Sequence, residues 1–252
     1  MFDLFASLPD TAMLSRMQFA FTISYHIIFP TITIGLSLYL AFMEGMWLKT
    51  QNFAYLQQVK FWMKPFAITF GMGVVSGVVL SYEFGTNFSQ FSEIVGPVLS
   101  PLLAYEVLTA FFLEAGFLGI MLFGWNRVSP KIHFMATCTV ALGTVMSSFW
   151  ILAANSWMHT PAGYEIINGQ FQVTSWLEVI FNPSFPYRLA HMLLATFLSA
   201  SLLFAGVNAY YLLKGKHQEF AKIGFSTAML AILILAPVHR LVGEVHGLNV
   251  AH

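Results

Sequence analysis

Residues 98–125 read VLSPLLAYEVLTAFFLEAGFLGIMLFGW. An apolar run of this length exceeds the roughly 20 residues that an α-helix needs to cross the hydrocarbon core of a bilayer. The run holds two carboxylates, Glu106 and Glu114, which lie about 80° apart around a regular helix and about 12 Å apart along it. The stretch therefore predicts a membrane-spanning helix with two ionisable groups inside it.

Five similar apolar runs occur in the rest of the chain. They cover approximately residues 13–48, 61–82, 132–157, 187–213 and 220–242. The composition agrees, because 58% of the residues are hydrophobic and only 9% are charged, whereas a soluble domain has roughly 25% charged residues. We predict an all-α bundle of about six transmembrane helices that forms a single domain over residues 1–252. A transmembrane barrel is disfavoured because short alternating segments are lacking.

The basic residues divide unevenly between the two ends of these helices. Of the 11 Lys and Arg, the majority flank the first, third and fifth connections: Lys49, Lys60, Lys64, Arg127, Lys131, Lys214, Lys216 and Lys222. Only Arg16, Arg188 and Arg240 fall at the opposite end. The positive-inside rule then places the odd-numbered connections in the cytoplasm, with both termini on the outer, periplasmic face. The net charge is zero and no basic run suggests a nucleic-acid partner.

The connection between the fourth and fifth runs is the longest. Within it, YEIINGQFQV (164–173) alternates apolar and polar residues around Asn168-Gly169, which is the signal of a type I′ hairpin. The following TSWLEVIFNP (174–183) predicts one short interfacial helix. We expect this connection to form a small ordered cap.

Four ionisable residues inside the apolar runs are candidates for function: His26, Glu106, Glu114 and His191. Counting from the helix ends predicts that His26, Glu106 and His191 lie in the outer leaflet and Glu114 near the middle. Buried charges need partners and often mark ion paths, proton relays or cofactors. Lys and Arg are scarce at this depth, so haem iron could supply the positive charge. Each histidine alone could equally be a packing residue, and the glutamates could be either stations of a proton path or independently neutralised acids.

A proline follows His26 within the stretch TISYHIIFP (22–30). Because proline has no amide hydrogen, the carbonyl of His26 loses its helical partner. We expect the first helix to be loosened at this point. Glu83 and Asn87 follow the second run, where a solvated loop is the expected environment.

Several long stretches of the chain resemble subunit I of the cytochrome bd family of quinol oxidases, with the cyanide-insensitive branch as one candidate. They are LSRMQFAFTISYHIIFP (14–30), FWMKPFAITFGMGVVSGVVLSYEFGTNF (61–88), AYEVLTAFFLEAGFLGIMLFGWNR (104–127), WILAANSWMHTP (150–161) and RLAHM (188–192). Together they extend over nearly the whole chain in the order that the family has. The similarity therefore rests on several long motifs.

The resemblance implies roles for three candidate metal ligands. His26 matches a ligand of one of two high-spin haems, b or d, and Glu106 matches the carboxylate at the neighbouring haem of that pair. His191 matches one axial ligand of the low-spin haem b. On this basis His26, His191 and Glu106 are the predicted iron ligands.

Four further residues take their expected roles from the same resemblance. Glu114 and Ser147 match groups on the path that delivers protons to the oxygen-reducing site, so they join Glu106 as candidate catalytic residues. Arg16 and Arg188 match basic residues near the haem propionates, where guanidinium groups suit carboxylates well.

The resemblance also implies a reaction, cofactors and partners. A terminal oxidase of this family oxidises quinol at the outer face and reduces oxygen to water, with protons taken from the cytoplasm. Its cofactors would be low-spin and high-spin haem b together with haem d or a further haem b. Its partners would be subunit II, small single-helix subunits, quinol, oxygen and membrane lipid. The location would be the bacterial inner (plasma) membrane.

The chain departs from the family in its last part. It stops soon after the sixth run, whereas the family has a quinol-binding loop and further helices that carry the methionine of the low-spin haem. The family tends to have Asp at Glu244, and His239 is unexpected. His246 would stand at the start of the quinol loop, although an exposed terminal histidine is more often inert. We expect either a fragment or a chain completed by another, inactive with quinol when alone.

Two other functions remain open from the sequence. A proton or ion transporter could use Glu106, Glu114 and an interrupted first helix, although no inverted repeat supports it. A non-catalytic assembly or cofactor-holding subunit would also fit the short length.

Overall fold

The computed structural model describes residues 10–251, which fold into long helices joined by short connections. The helices are α1 (Thr11–Thr50), α2 (Phe53–Thr86), α3 (Ser89–Glu106), α4 (Phe112–Phe123), α5 (Pro130–His159), α6 (Trp176–Ile180), α7 (Phe185–Leu213) and α8 (Gln218–Ala251). A π-helical segment, Val107–Phe111, joins α3 to α4 without a break. Six of the resulting helices are long and apolar enough to cross a membrane, so the chain is a multi-pass helical membrane protein, as predicted.

The helices are longer than the apolar runs that predicted them. The third span begins at Ser89, well before residue 98, because two prolines within it, Pro97 and Pro101, do not end the helix. Glu106 is consequently 17 residues from the start of its helix, about 26 Å along the axis, where the sequence count placed it about eight residues in. The prediction of its depth in the bilayer stays a prediction.

Polar caps and turns mark where the helices begin and end. Asp10 accepts a hydrogen bond from the Met13 amide at the start of α1, and Ser129 does so for Ile132 at the start of α5. Side chains of this kind satisfy amides that have no partner within the helix. Gln51, in the left-handed conformation with φ 56°, ends α1 and turns the chain into α2.

The first helix passes through Pro30 without interruption. Thr31 and Thr33 donate their hydroxyls to the carbonyls of Ile27 and Phe29, so neighbouring side chains supply hydrogen bonds in the turn that proline disturbs. The helix therefore stays continuous, and the expected loosening is limited to the carbonyl of His26, which lacks an amide partner because proline has none.

The predicted cap between the fourth and fifth spans is present. Strands β1 (Tyr164–Ile167) and β2 (Gln170–Val173) pair in antiparallel fashion, and Asn168 and Gly169 both have positive φ, as a type I′ turn requires. The hairpin packs on α3, where Phe171 and Val173 contact a buried cluster that includes Val98 and Trp157.

The main hydrophobic core lies toward the end of the bundle that carries most of the basic residues. It is formed by α1, α2, α4, α5, α7 and α8 and includes Leu36, Leu40, Met43, Phe66 and Phe204, all fully buried. The other end of α1 is mostly exposed, as shown by Phe21 at 73% and Ile28 at 54%. The bundle is thus packed at one end and open along α1 at the other.

Candidate cofactor site

His26 lies in the open part of the bundle, half-buried between α1 and α2. Its Nδ1 is 2.9 Å from the Ser76 hydroxyl, and Ser76 donates its own hydrogen to the Met72 carbonyl at 2.7 Å. Ser76 Oγ is therefore the acceptor, Nδ1 carries the ring hydrogen, and Nε2 keeps its lone pair. A histidine fixed in this way is ready to bind a metal through Nε2.

Close approach of α2 makes this arrangement possible. A Cβ at Gly77 would lie 3.2 Å from Cε1 of His26, so a larger residue would push the ring away from Ser76. The glycine pattern of this helix, which by itself indicates close packing, thus also sets the position of the imidazole.

Glu106 and Glu114 both lie against α5. Ser147 donates a hydrogen bond of 2.8 Å to Glu106, a contact between two candidate residues that the sequence did not predict. Glu114 is 7% exposed and its Cγ occupies the space that a Cβ on Gly143 would need. Gly143 and Ser147 are one turn apart on α5. The two carboxylates therefore pack against the same face of α5.

The π-helical segment Val107–Phe111 explains how two glutamates eight residues apart reach the same face. In a regular helix they would differ by about 80°. A π turn is wider by about one residue, so the spacing acts as about seven residues and the difference falls to about 20°. Nothing in the amino-acid sequence indicated this irregularity, which is frequent at functional sites.

His191 lies on the other side of the bundle, between α7 and α8. Its ring stacks on that of His239 with centroids 4.3 Å apart, and a Cβ at Gly243 would be 3.2 Å from its Nε2. His246, further along α8, stacks at 6.3 Å on Tyr187. From the sequence, His239 was unexpected at its position and was not a candidate for the site.

The two arginines differ in their surroundings. Arg188 donates to Asn155 at 2.9 Å, and its buried Nε has no hydrogen-bond partner among the described residues. An unpaired buried guanidinium nitrogen is costly, and an anionic group would relieve that cost. Arg16 is exposed on the first turns of α1.

Two buried polar clusters were not foreseen. Glu83 is 2% exposed and accepts a hydrogen bond of 2.6 Å from Thr22, so the expected solvated loop is wrong: α2 continues to Thr86. At the opposite end of the bundle, Glu44 contacts His133 at 2.6 Å and accepts from Thr137 at 2.6 Å. These residues lie near helix ends, where solvation is the ordinary expectation, so their burial was not predicted.

The residues present fit a cofactor that brings most of its own ligands. Within residues 10–251, no three His, Cys, Asp or Glu side chains gather as ligands of a bare metal ion would. A haem needs only one or two protein ligands, because the porphyrin occupies the remaining positions on the iron. The free Nε2 of His26 suits the iron of such a group. The unpaired Nε of Arg188, at the start of α7, suits a carboxylate such as a propionate.

The fold and these groups define a class: a multi-pass helical membrane protein with imidazole and carboxylate side chains directed into the bundle. Residues 14–252 match the family described as cytochrome bd terminal oxidase subunit I. The chain belongs to this family.

Individual relatives agree with that assignment. The chain is 41% identical over 218 residues to cytochrome bd ubiquinol oxidase subunit 1 of Bacillus subtilis, covering 86% of this chain and 47% of the relative. It is 38% identical over 219 residues to cytochrome bd-II ubiquinol oxidase subunit 1 of Escherichia coli, covering 86% and 43%.

A solved structure, that of the bd oxidase from Geobacillus thermodenitrificans, superposes with a TM-score of 0.88 at 30% identity. The alignment covers 96% of this chain and 56% of that one. The chain thus spans about half the length of the relatives it matches.

Proposed function

We propose that this chain is the haem-binding part of a terminal quinol oxidase, a complex that oxidises quinol and reduces oxygen to water. The single observation that carries the proposal is the state of His26, whose Nδ1 is held by Ser76 while Nε2 is free to bind iron. Membership of the cytochrome bd subunit I family supports it, as do relatives named as ubiquinol oxidase subunits.

In this proposal His26 binds a high-spin haem, Glu106 lies at the neighbouring haem of the pair, and His191 binds the low-spin haem b. The haems, two of type b and a third of type d or b, supply electron transfer and the reduction of oxygen when bound. Arg188 and Arg16 would hold propionates. The open end of the bundle, where Phe21 and Ile28 are exposed, leaves room for such groups and for further helices.

The remaining roles belong to side chains that hold and move protons. Glu114 would pass a proton toward Glu106, whose Oε1 accepts from Ser147. Both carboxylates lie against the same face of α5, so a proton can move from one to the other along that face. The basic ends of the helices would face the cytoplasm, with both termini on the outer side of the bacterial inner membrane.

The proposed complex needs more than this chain. The relatives are about twice as long, and we propose that the quinol site and the second ligand of the low-spin haem lie in that further half. Subunit II and small single-helix subunits would complete the assembly. This chain purified without them should not consume oxygen with quinol.

The test is the reduced-minus-oxidised spectrum of the membrane complex, with a pyridine haemochrome count of its haems. His26→Ala should remove a high-spin signal and leave the low-spin signal, and His191→Ala should do the reverse, since each removes one ligand. Substitution of the exposed Leu213 by Ala is a control and should leave both. If both histidine variants keep the full haem spectrum, the assignment is wrong, and a colourless wild-type complex would favour an ion transporter or an assembly subunit.

A further inference from the structure

At the end of the bundle that carries the basic residues, Glu44 of α1 and His133 of α5 form a pair that is shielded from solvent. Their exposed fractions are 0% and 1%, and Glu44 Oε1 lies 2.6 Å from His133 Nδ1. Burial of two ionisable groups is costly unless they are bonded to each other and to further partners. The stability of the buried pair therefore depends on which atoms carry its protons.

The hydrogen bonds fix how many protons the pair holds. His133 Nε2 lies 3.0 Å from the Met121 carbonyl, and because a carbonyl can only accept, Nε2 carries a hydrogen. Thr137 donates to the other carboxylate oxygen of Glu44. One further proton is shared between Nδ1 and Oε1, and the pair is neutral whichever atom holds it.

Polar groups continue from this pair into the bundle. One turn further along α5 is Thr137, and about 10 Å beyond it Thr144 contacts Ser37 of α1 at 2.9 Å. Both Ser37 and Thr144 are buried. Gly143, next to Thr144, contacts Glu114, and one turn later Ser147 bonds Glu106.

The other side of the pair faces the basic surface. The Trp125 ring covers His133 with centroids 3.8 Å apart, and the exposed Lys60 places its ammonium 5.3 Å from the Trp125 ring. A further titratable group near the pair is Cys138, the residue after Thr137. The Trp125 indole thus lies between His133 and the exposed Lys60.

We infer that Glu44 and His133 form the entry station of a proton path that runs along α5 to Glu114. A proton arriving from the basic surface converts the neutral pair into an imidazolium and a carboxylic acid. Loss of one proton on the inward side, past Thr137 toward Ser37 and Thr144, restores the neutral pair. No proton is consumed in the cycle. This inference rests on the proposed function, which requires proton delivery to Glu106.

The test compares Glu44→Gln with the unsubstituted membrane complex. The glutamine amide can accept from Thr137 and donate to Nδ1, so the bonds are kept while the exchangeable proton is lost. We expect the proton uptake that accompanies oxygen reduction to slow by about 100-fold, the lower end of what a positioned proton carrier contributes. The haem spectrum and the unfolding temperature should be unchanged. Glu44→Asp should restore part of the rate.

A second measurement does not depend on turnover. After transfer into D2O, the infrared band of the Glu44 carboxyl, identified by its loss in Glu44→Gln, should shift within the dead time. A pair that is only structural would exchange as slowly as the buried amides around it. Slow exchange overturns the inference.

A buried cluster without titratable groups provides the matched control. Gln58 is fully buried and donates to Asn208 at 2.8 Å and to the Phe220 carbonyl at 2.7 Å. Gln58→Met should lower the unfolding temperature and leave proton uptake unchanged. If Glu44→Gln behaves like Gln58→Met, the pair is structural and the inference is wrong.

The outcomes separate this inference from the proposed function. If Glu114→Gln slows proton uptake and Glu44→Gln does not, only the entry station is wrong. If the unsubstituted complex consumes no oxygen with quinol, the proposed function itself fails. Should Glu44→Gln not assemble, Thr137→Val decides: slowed uptake with intact haem bands supports the path, and unchanged uptake overturns it.

Discussion

The two halves of α1 differ sharply in their surroundings. From Thr33 to Glu44 most side chains are buried, with Leu36, Leu40 and Met43 at 0% exposure. Before Thr33 most side chains are open, and Phe21 is 73% exposed. We call these parts the packed half and the open half.

Polar groups follow the same division. In the packed half Glu44 has a hydrogen-bond partner on each oxygen. Toward the open half, Glu83 Oε2, Arg188 Nε and His239 Nε2 are buried without partners among the described residues. Unpaired buried groups are rare in a finished protein. We conclude that the buried carboxylate of the packed half finds its partners within this chain, whereas the open half is built to receive other groups.

The largest effect that would test this contrast is the loss of a buried leucine. Leu40→Ala should lower the free energy of unfolding by about 2–5 kcal/mol, because a cavity is left in a close-packed core. Ile28→Ala, in the open half at 54% exposure, should change it by about 0.5 kcal/mol or less. Chemical denaturation of each variant, followed by circular dichroism, measures both. Equal losses would mean that the two halves do not differ in packing.

A smaller change in the free energy of unfolding is expected when glycines in closely packed and open positions are replaced by alanine. A Cβ at Gly35 would meet the Thr196 carbonyl and Ala200 of α7, whereas one at Gly71 would meet nothing within 4 Å. Gly35→Ala should therefore cost about 1–3 kcal/mol through strain, and Gly71→Ala should be close to neutral. The unfolding midpoints of the two variants provide the comparison, and a harmless Gly35→Ala would contradict close contact between α1 and α7.

The smallest effect concerns the orientation of His26. Ser76→Ala removes the partner of Nδ1, and a hydrogen bond of this kind contributes about 1 kcal/mol, so haem should be lost to a haem-scavenging protein several times faster. Ser81→Ala is the control, because Ser81 on the same helix bonds only the Gly77 carbonyl. If the two variants release haem at the same rate, Ser76 does not position the ligand.

The sequence predicted the parts of the fold that depend on long apolar runs and on turn chemistry. The six spans, the hairpin at Asn168-Gly169 and the short helix at Trp176–Ile180 are confirmed. Bilayer thickness and type I′ geometry are local constraints, so composition and a dipeptide are enough to recognise them.

Other features depend on contacts between distant residues and could not be read from the chain. Glu83 is buried because Thr22, far away in sequence, bonds it, and Glu44 is buried because His133 does. Pro30 predicted a loosened turn, but the sequence did not show that Thr31 and Thr33 would supply hydrogen bonds there. The family resemblance named Glu106 and Ser147 as separate candidates, and neither their hydrogen bond nor the π segment was predicted.

That geometry has a consequence for chain length. The π segment Val107–Phe111 is in effect an insertion of a single residue carried inside a helix. If the same residues formed a regular helix instead, everything after the segment would rotate by about 100°, which would turn Glu114 away from Gly143. Deletion of one residue there would also give a regular helix, but the two carboxylates would then be seven residues apart and would still lie within about 20° of each other. The site therefore depends on the spacing and the helix type together: eight residues need the π turn, and seven would need a regular helix.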